Sequence, residues 1–581
     1  MLRTLVGAGL LLMALCLAPG NAHAQVWLNT QLNNDSSGQV HNEEQVVVNP
    51  TNPNNVVAVW RDFRLGYRQI GYGYTVDAGR TWTNPGLFVE HHYQWDSDPA
   101  LTVSRTGTFY AMLLTYTDTS HPNGFLLEKS TDSGVSWTEQ GFAVNQVSGV
   151  FEDKELIACD RNALSPFRGR IYCTWDRFNE TNIYCVASGN EGLTWTTPHR
   201  VSDQSSNQFP TPAVGPDGTL YVAWTYYGGN LRLDKSTDGG VTFGSDINIT
   251  TIYNPAPTLN GGVDAICSPA LDADISGGTY NGRLYCLYMN KASGSNDYDI
   301  YLRYSTDRGA TWSSPIRVND DTFNNGRDQF HCWLTVDNRG ILTAVWLDRR
   351  QDPANLQWYS YISQSTNGGT TWSPNQQVST APSDPSHMLA GREVTTIDYA
   401  ADRAEKMARG PVLESGEEAA EAGPGSGGTD PSIDDGNGNT RSGVIGEYIG
   451  IASYDGFATA VWTDTRNGHQ DTYGGINPAL LAVDPIAGAT DDRSLLAAPN
   501  PASGSTDLAY LVPSDGWVDL QVYDVGGRLV RTLVGRNIRA GSYRFTWNGT
   551  DQGGEKVAPG TYYVRYRAPG LERSTKVGIL P

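Results

Sequence analysis

The pattern S-x-D-x-G-x-T-W recurs six times between residues 75 and 372, and it constrains the fold more than any other feature of the chain. The copies run over 75–82, 130–137, 188–195, 236–243, 305–312 and 365–372. Their third positions are Asp77, Asp132, Asn190, Asp238, Asp307 and Asn367, so successive copies stand 48 to 69 residues apart. Each lies between two short apolar segments, such as 300–304 and 316–318. Asp or Asn at that place accepts backbone N–H groups inside a turn, and the Gly supplies a positive φ. Trp82, Trp137, Trp195, Trp312 and Trp372 close five of the copies as large apolar anchors. A unit of roughly 40–50 residues repeated with loose spacing is the signature of a propeller or a similar array.

A second recurring strand precedes each copy, at 56–60, 109–113, 171–175, 220–224, 284–288 and 342–346, and once more at 458–462. One further strand stands before each of these, including 45–48, 99–103, 156–159 and 333–336. The unit therefore reads strand, turn, strand, loop, strand, box, strand, which is a four-stranded antiparallel blade. The seventh unit starts near Glu447, has a third strand at 471–476, and lacks both box and fourth strand. Residues 26–33 look like the fourth strands, for example 312–319. Pairing them with the last blade closes the ring and removes two exposed sheet edges. The expected fold is all-β: a seven-bladed β-propeller closed by its N-terminal strand, plus a small C-terminal β-sandwich.

Residues 1–24 hold Arg3, an apolar run at 5–17 and Ala22-His23-Ala24 before Gln25, the pattern of a cleaved secretory signal. No later run is long enough to span a bilayer, so the expected location is secreted or on the outer cell surface. The formal charge of −21 argues against nucleic acid or an anionic surface as partner. Beyond Cys16, the cysteines are Cys159, Cys173, Cys185, Cys267, Cys286 and Cys332, with no C-x-x-C metal spacing. Cys173 and Cys286 fall where other repeats carry Ala58, Val222, Ala344 and Ala460, a small core position. Export permits disulfides, so a cross-strand Cys159–Cys173 bond and free core thiols both stand. No cofactor and no metal are expected.

The propeller is expected over 25–485, with an insertion at 380–442. Residues 399–409 have a helix-forming composition stopped by Gly410-Pro411, and 414–435 are acidic and Gly-rich with almost nothing to bury. Asp435, Asn437 and Asn439 have the spacing of a calcium loop but lack its Gly and final Glu. An insertion of this length is functional or disordered; the expectation is a partly ordered flap at 384–409 beside the channel mouth, then a tether to about Arg441. Residues 486–581 form a linker and a second domain, with strands at 517–523, 543–547 and 562–566 and turns at 524–527 and 551–554.

The six copies resemble the Asp-box, or bacterial neuraminidase repeat, of sialidases and related propellers. The resemblance implies that the boxes join the third and fourth strands of each blade, lie away from the active face and act as fasteners. The C-terminal segment resembles the immunoglobulin-like domain related to the flagellar hook-capping protein, through Pro499-Asn500-Pro501, residues 523–528 and residues 547–551. That resemblance implies sorting or surface attachment through the bacterial export machinery.

On a propeller, the loops between blades and those between second and third strands open on one face. Glu44, Asp98, Asp153, Asp264, Asp328 and Glu447 start the first strands there. The second strands end in Trp60-Arg61-Asp62-Phe63-Arg64, Trp175-Asp176-Arg177, Trp346-Leu347-Asp348-Arg349-Arg350 and Trp462-Thr463-Asp464-Thr465-Arg466. Acid and Arg within reach can hold a carboxylate or sugar hydroxyls, yet repetition blade by blade favours structural ion pairs. Departures from the repeat are better candidates: residues 91–95, Asp153-Lys154-Glu155, Tyr226-Tyr227 and Gln329-Phe330-His331.

Resemblance to sialidases implies a Tyr nucleophile paired with Glu, an acid/base Asp and three Arg around the substrate carboxylate. The family's early F/Y-R-I-P motif has only Trp60-Arg61-Asp62-Phe63 as its counterpart, and the family's catalytic propellers have six blades. On this reading Arg61, Arg350 and Arg466 are the clamp and Asp62 the acid, with Asp153, Glu155, Asp328 and Glu447 as further catalytic candidates. Ligand-binding candidates are Arg64, His92, Trp95, Arg177, Tyr226, Tyr227, His331 and Arg349. No Tyr–Glu pair is assigned, since Glu447 and Tyr448, neighbours on a strand, would face opposite sides. The leading expectation is a secreted or surface propeller that recognises extracellular glycan or another surface ligand. A glycoside hydrolase at the channel mouth, exo-sialidase-like, is the alternative, and a non-catalytic scaffold the third.

Overall fold

The computed structural model describes residues 27–65, 68–88, 92–93, 95–117, 123–146, 150–178, 180–388, 445–476, 495–498, 500–502, 504–512, 516–538, 541–552 and 555–580. The expected secretory signal at 1–24, His91, and residues 389–444, which hold most of the expected insertion with its helix, acidic tract and Asp435 loop, lie outside the described residues.

Seven four-stranded antiparallel sheets make the propeller: blade 1 (41–87), blade 2 (95–146), blade 3 (152–200), blade 4 (207–251), blade 5 (270–317), blade 6 (329–377) and blade 7 (450–476 with 28–31). The first strands of neighbouring blades pack on one another around a central channel. Second strands are sandwiched between blades; Val56–Asp62, Phe109–Tyr116 and Leu342–Asp348 are buried at every position. That is why they read as unbroken apolar runs rather than as alternating ones. Closure is as expected: Leu28–Gln31 pairs antiparallel with Asp471–Ile476, Leu28 opposite Ile476 and Gln31 opposite Tyr473.

The boxes are turns between third and fourth strands. In the copy at 305–312, Asp307 Oδ1 accepts the Thr311 N–H at 2.9 Å, and Oδ2 accepts the Thr311 hydroxyl at 2.6 Å. Ser305 Oγ accepts the N–H of Gly309, whose φ is +81°. Asp77, Asp132 and Asp238, and Asn190 and Asn367 in their amide forms, repeat these bonds. Trp82, Trp137, Trp195, Trp312 and Trp372 are half-buried against the blade cores. The six cysteines are all free and buried; Cys159 lies opposite Ile171, and Cys173 opposite Ile157.

The C-terminal domain is a β-sandwich. One sheet holds Leu495–Ala498, Thr506–Val512 and Gly541–Trp547; the other orders Leu529–Ile538, Gly516–Asp524, Gly560–Ala568 and Leu571–Ile579. Leu508, Val518, Leu520, Val564 and Trp547 fill the space between them, and the Trp547 indole donates to Thr550 O at 2.8 Å.

Candidate functional site

Five first strands carry a bulge near the same end. Their register breaks between Asn42 and Gln45, Ser97 and Ala100, Asp153 and Leu156, Gln208 and Thr211, and Phe330 and Trp333. Inside each break one non-glycine residue has a positive φ: Glu43 (59°), Asp98 (50°), Lys154 (55°), Phe209 (58°) and His331 (44°). Such backbone is sterically costly for these residues and clusters where a site needs it. A bulge also re-aims the side chain it carries.

Three of these residues, Glu43, Asp98 and Lys154, converge in the channel with Glu447. The Lys154 ammonium of blade 3 lies 2.5 Å from Asp98 Oδ2 of blade 2 and 3.9 Å from Glu43 Oε1 of blade 1, and donates to Glu447 Oε2 ahead of blade 7. The carboxylates of Glu43, Asp98 and Glu447 lie within 4.8 Å of one another. Arg61 Nη1 meets Glu43 Oε1 at 3.0 Å. Asp153, Glu155 and Asp176 act on the same group of charges. Glu155 is 1% exposed, and neither of its carboxylate oxygens has a side-chain hydrogen-bond partner. It lines a cavity of ≈ 20 Å³ with Lys154, Phe209, Ser268, Trp333 and Tyr448.

The charges sort the group into two classes. Despite its burial, Asp98 is held well below the usual carboxylate range by Lys154 and Arg61. Lys154, also despite burial, is held charged by Asp98, Glu447 and Glu43. Burial pushes Glu43, Asp153, Glu155 and Asp176 the other way, to well above an ordinary carboxyl. Burial likewise raises the Tyr448 phenol, helped by Glu43 and Asp98. The arrangement sets carboxyls that hold a proton more tightly beside one that releases it more easily, and places more acids than bases around the channel.

The repeated second-strand motif has another use. The indole N–H of Trp60, Trp346 and Trp462 donates to the carboxylate two residues on, at 2.9, 2.8 and 2.9 Å. The same carboxylates of Asp62, Asp348 and Asp464 hold Arg64, Arg350 and Arg466 through Nη2, at 2.6, 2.8 and 2.6 Å. Arg350 and Arg466 then lie over the third-strand rings of Tyr361 and Tyr473. In blade 3, Glu152 takes the Asp position, binding both Trp175 and Arg177, which covers Tyr184. Arg61 alone of the three suggested clamp residues reaches the Lys154 cluster; Arg350 and Arg466 are each tied within this blade lock. Asp62 is likewise engaged, by His41 as well as by Arg64 and Trp60.

The remaining candidates separate into struts and rim. Arg349 is fully buried on the rings of Phe330 and Trp358 and donates to the carbonyls of Asn355 and Asn260. Asp328 accepts from Asn355 Nδ2 at 2.6 Å. Trp95 is a core residue tilted against Tyr116. His331 is buried in the channel wall, where burial lowers it to about 4. His92 meets Glu139 at the surface, and Arg232 lies over Tyr226. Tyr227 is exposed, its hydroxyl donating to Gln208. It has company: Phe178 (54% exposed), Tyr253 (68%) and Phe323 (51%) also stand on loops of this face, after second or fourth strands of blades 3, 4 and 5.

Glu43 and Tyr448 were not singled out from sequence as site residues, and Lys154 was named only within the run Asp153-Lys154-Glu155. The sequence reading puts Glu44 at the channel entry of the first strand, and the structure puts Glu43 there instead. The bulge decides it: Glu43 turns to Lys154, while Glu44 accepts from Thr463 and Thr472 at 3.1 Å. The run Asp153-Lys154-Glu155, which departs from the repeat, was the one available signal. Glu447 and Tyr448 precede their strand, which begins at Gly450, and both belong to the channel group.

Residues 504–569 match the FlgD Ig-like domain family. No curated protein matches the chain. Among solved structures, the intramolecular trans-sialidase of Ruminococcus gnavus is similar at 11% identity and TM-score 0.40, covering 55% of this chain and 93% of that one. The NanB sialidase of Streptococcus pneumoniae is similar at 9% identity and TM-score 0.42, covering 57% and 68%. The alpha-L-arabinofuranosidase of Fusarium graminearum is similar at 11% identity and TM-score 0.37, covering 58% and 97%.

Proposed function

We propose that the propeller recognises extracellular glycan at the face where the Lys154 cluster opens. The observation that carries this reading is the rim of Phe178, Tyr227, Tyr253 and Phe323, exposed side chains on loops of a single face around a polar channel. Aromatic faces above hydrogen-bonding groups suit sugar rings, which present C–H on one side and hydroxyls at the edge. In this proposal the chain is secreted or held at the outer surface, and the domain containing 504–569 sorts or attaches it. Glycan-array binding by the purified chain tests the reading; Tyr227→Ala and Tyr253→Ala, both exposed, should weaken binding without lowering stability. A blank array across neutral, cationic and anionic glycans would overturn it.

One observation favours glycoside hydrolysis as a second reading. Asp98 is shifted down and Asp153 up within the same group, the separation that lets one carboxyl donate a proton while another stays charged. Sugar release that is lost in Asp153→Asn, with binding kept, would establish it.

A further inference from the structure

Within the glycan reading, on which this inference rests, the channel group also specifies the ligand's charge. Glu43, Asp98, Asp153, Glu155, Asp176 and Glu447 share the group with Lys154 and Arg61 as the opposing cations. A ligand carboxylate entering here would find Lys154 and Arg61 already held by Asp98, Glu447 and Glu43, and would disfavour ionisation of the raised carboxyls further. An ammonium would let one of those carboxyls release its proton to solvent and pair with the ligand instead. Lys154 demonstrates the fit: a primary ammonium is cradled by carboxylates from three blades, with Asp98 at 2.5 Å.

A second, independent observation points the same way. Glu155 is buried, carries two carboxylate oxygens without a side-chain partner, and faces the small cavity beside Lys154. The cavity's ≈ 20 Å³ exceeds what one water-sized group requires, and an ammonium is of that size. Lys154 and Glu447 keep 12% and 18% of their side chains exposed, so the cluster is reachable from solvent.

We propose that the channel mouth selects glycans bearing a free amine, with Glu447 and Glu155 receiving the ammonium, and that it rejects anionic sugars. The site is thereby opposite in sign to an arginine clamp for a carboxylate.

Calorimetric titration of the full chain at about pH 5.5, where sugar amines are protonated, decides the matter with three probes: glucosamine oligomers, their N-acetylated counterparts, and sialyllactose. The deacetylated oligomer should bind about ten-fold or more tightly than the acetylated one, as expected for a charge-assisted hydrogen bond, and sialyllactose should not bind. Glu447→Gln should erase that preference. Glu155→Gln, isosteric with a protonated Glu155, is the second variant should the first fail to fold. Equal or tighter binding of acetylated or sialylated sugar overturns this inference and leaves glycan recognition standing. Absence of binding to all three also overturns this inference, and glycan recognition then stands or falls by the array.

Discussion

Gly79 of the first box turn sits against Ile476, the last residue of blade 7's third strand; a β-carbon on Gly79 would come within 2.7 Å of Ile476 Cγ2. Ile476 in turn pairs with Leu28 of the closing strand. The same contact is made inside the ring by Gly309 of blade 5 on Leu233 of blade 4, at 2.6 Å. Each box therefore seats on the blade before it, and at Gly79 that neighbour is the blade built from both chain ends. Gly79 also holds φ +85°. Gly79→Ala should destabilise by about 1–3 kcal/mol through strain and overlap, as Gly309→Ala should. Urea unfolding of both variants checks this. A neutral Gly79→Ala beside a destabilised Gly309→Ala would mean that the closing contact is absent in solution.

The blade lock gives the second prediction. Trp346 and Asp348 are fully buried, and Arg350 is largely enclosed by Asp348, Asp320 and Tyr361. Asp348→Ala leaves the indole N–H and the guanidinium without their shared acceptor, and should cost about 3–5 kcal/mol. Trp346→Phe keeps an aromatic ring but removes the N–H and part of the indole's volume, leaving a buried acceptor one donor short beside a small void, for about 1–3 kcal/mol. Neither should alter ligand affinity among molecules that remain folded. A changed affinity at unchanged stability would return Arg350 to the site.

Blade number, closure and box chemistry were legible because they rest on patterns the chain repeats. Asp307 and Gly309 recur at fixed offsets, and a buried second strand such as Leu342–Asp348 stands out as a largely apolar run. The channel group was only half legible for the opposite reason. It is built at bulges, where the period-2 rule fails for one or two residues, so Glu44 was named where Glu43 stands. It is also assembled from four blades, and nothing local in sequence brings Lys154 to Glu447, which is 293 residues away. Arg350 and Arg466 were attractive as a clamp because Arg suits carboxylates; the carboxylates they found were Asp348 and Asp464 of their own strands.

The pH dependence of stability should be shifted towards acid. Burial raises Glu44 to about 8. A carboxyl raised on folding contributes stability that is complete below its ordinary value, about 4.5, and lost as pH climbs to about 8. His41, although buried, is raised to about 10 by Asp62 and Asp35, so its contribution is complete below about 6.5 and lost as pH climbs to about 10. Asp62 moves oppositely: lowered to about 2 by His41 and Arg64 in spite of burial, it loses its contribution as pH falls from about 3.8 to about 2. Urea midpoints should therefore peak near about pH 4–5 and decline steadily to about pH 10. Glu44→Gln, which mimics the protonated acid, should flatten the lower part of that decline and leave the upper part. A midpoint that rises between about pH 5 and 8 would contradict these assignments.

Lys154 provides the last prediction, because its removal leaves Asp98, Glu43 and Glu447 facing one another without their shared cation. At neutral pH, Lys154→Met should cost about 3–5 kcal/mol, the usual consequence of orphaning buried charges. The sign of its pH dependence separates this cause from lost packing. Without the ammonium, burial and mutual repulsion raise these carboxyls above their unfolded values, and a raised carboxyl destabilises increasingly as pH climbs. The deficit relative to the parent chain should therefore grow from acid to alkaline pH. Adding Asp98→Asn to Lys154→Met should recover part of it, since one of the three facing charges is then gone. Urea unfolding of the parent, single and double variants across that range reads all three effects. A deficit independent of pH, or a double variant weaker than the single, would reduce Lys154 to a packing residue and remove the cationic centre from the channel.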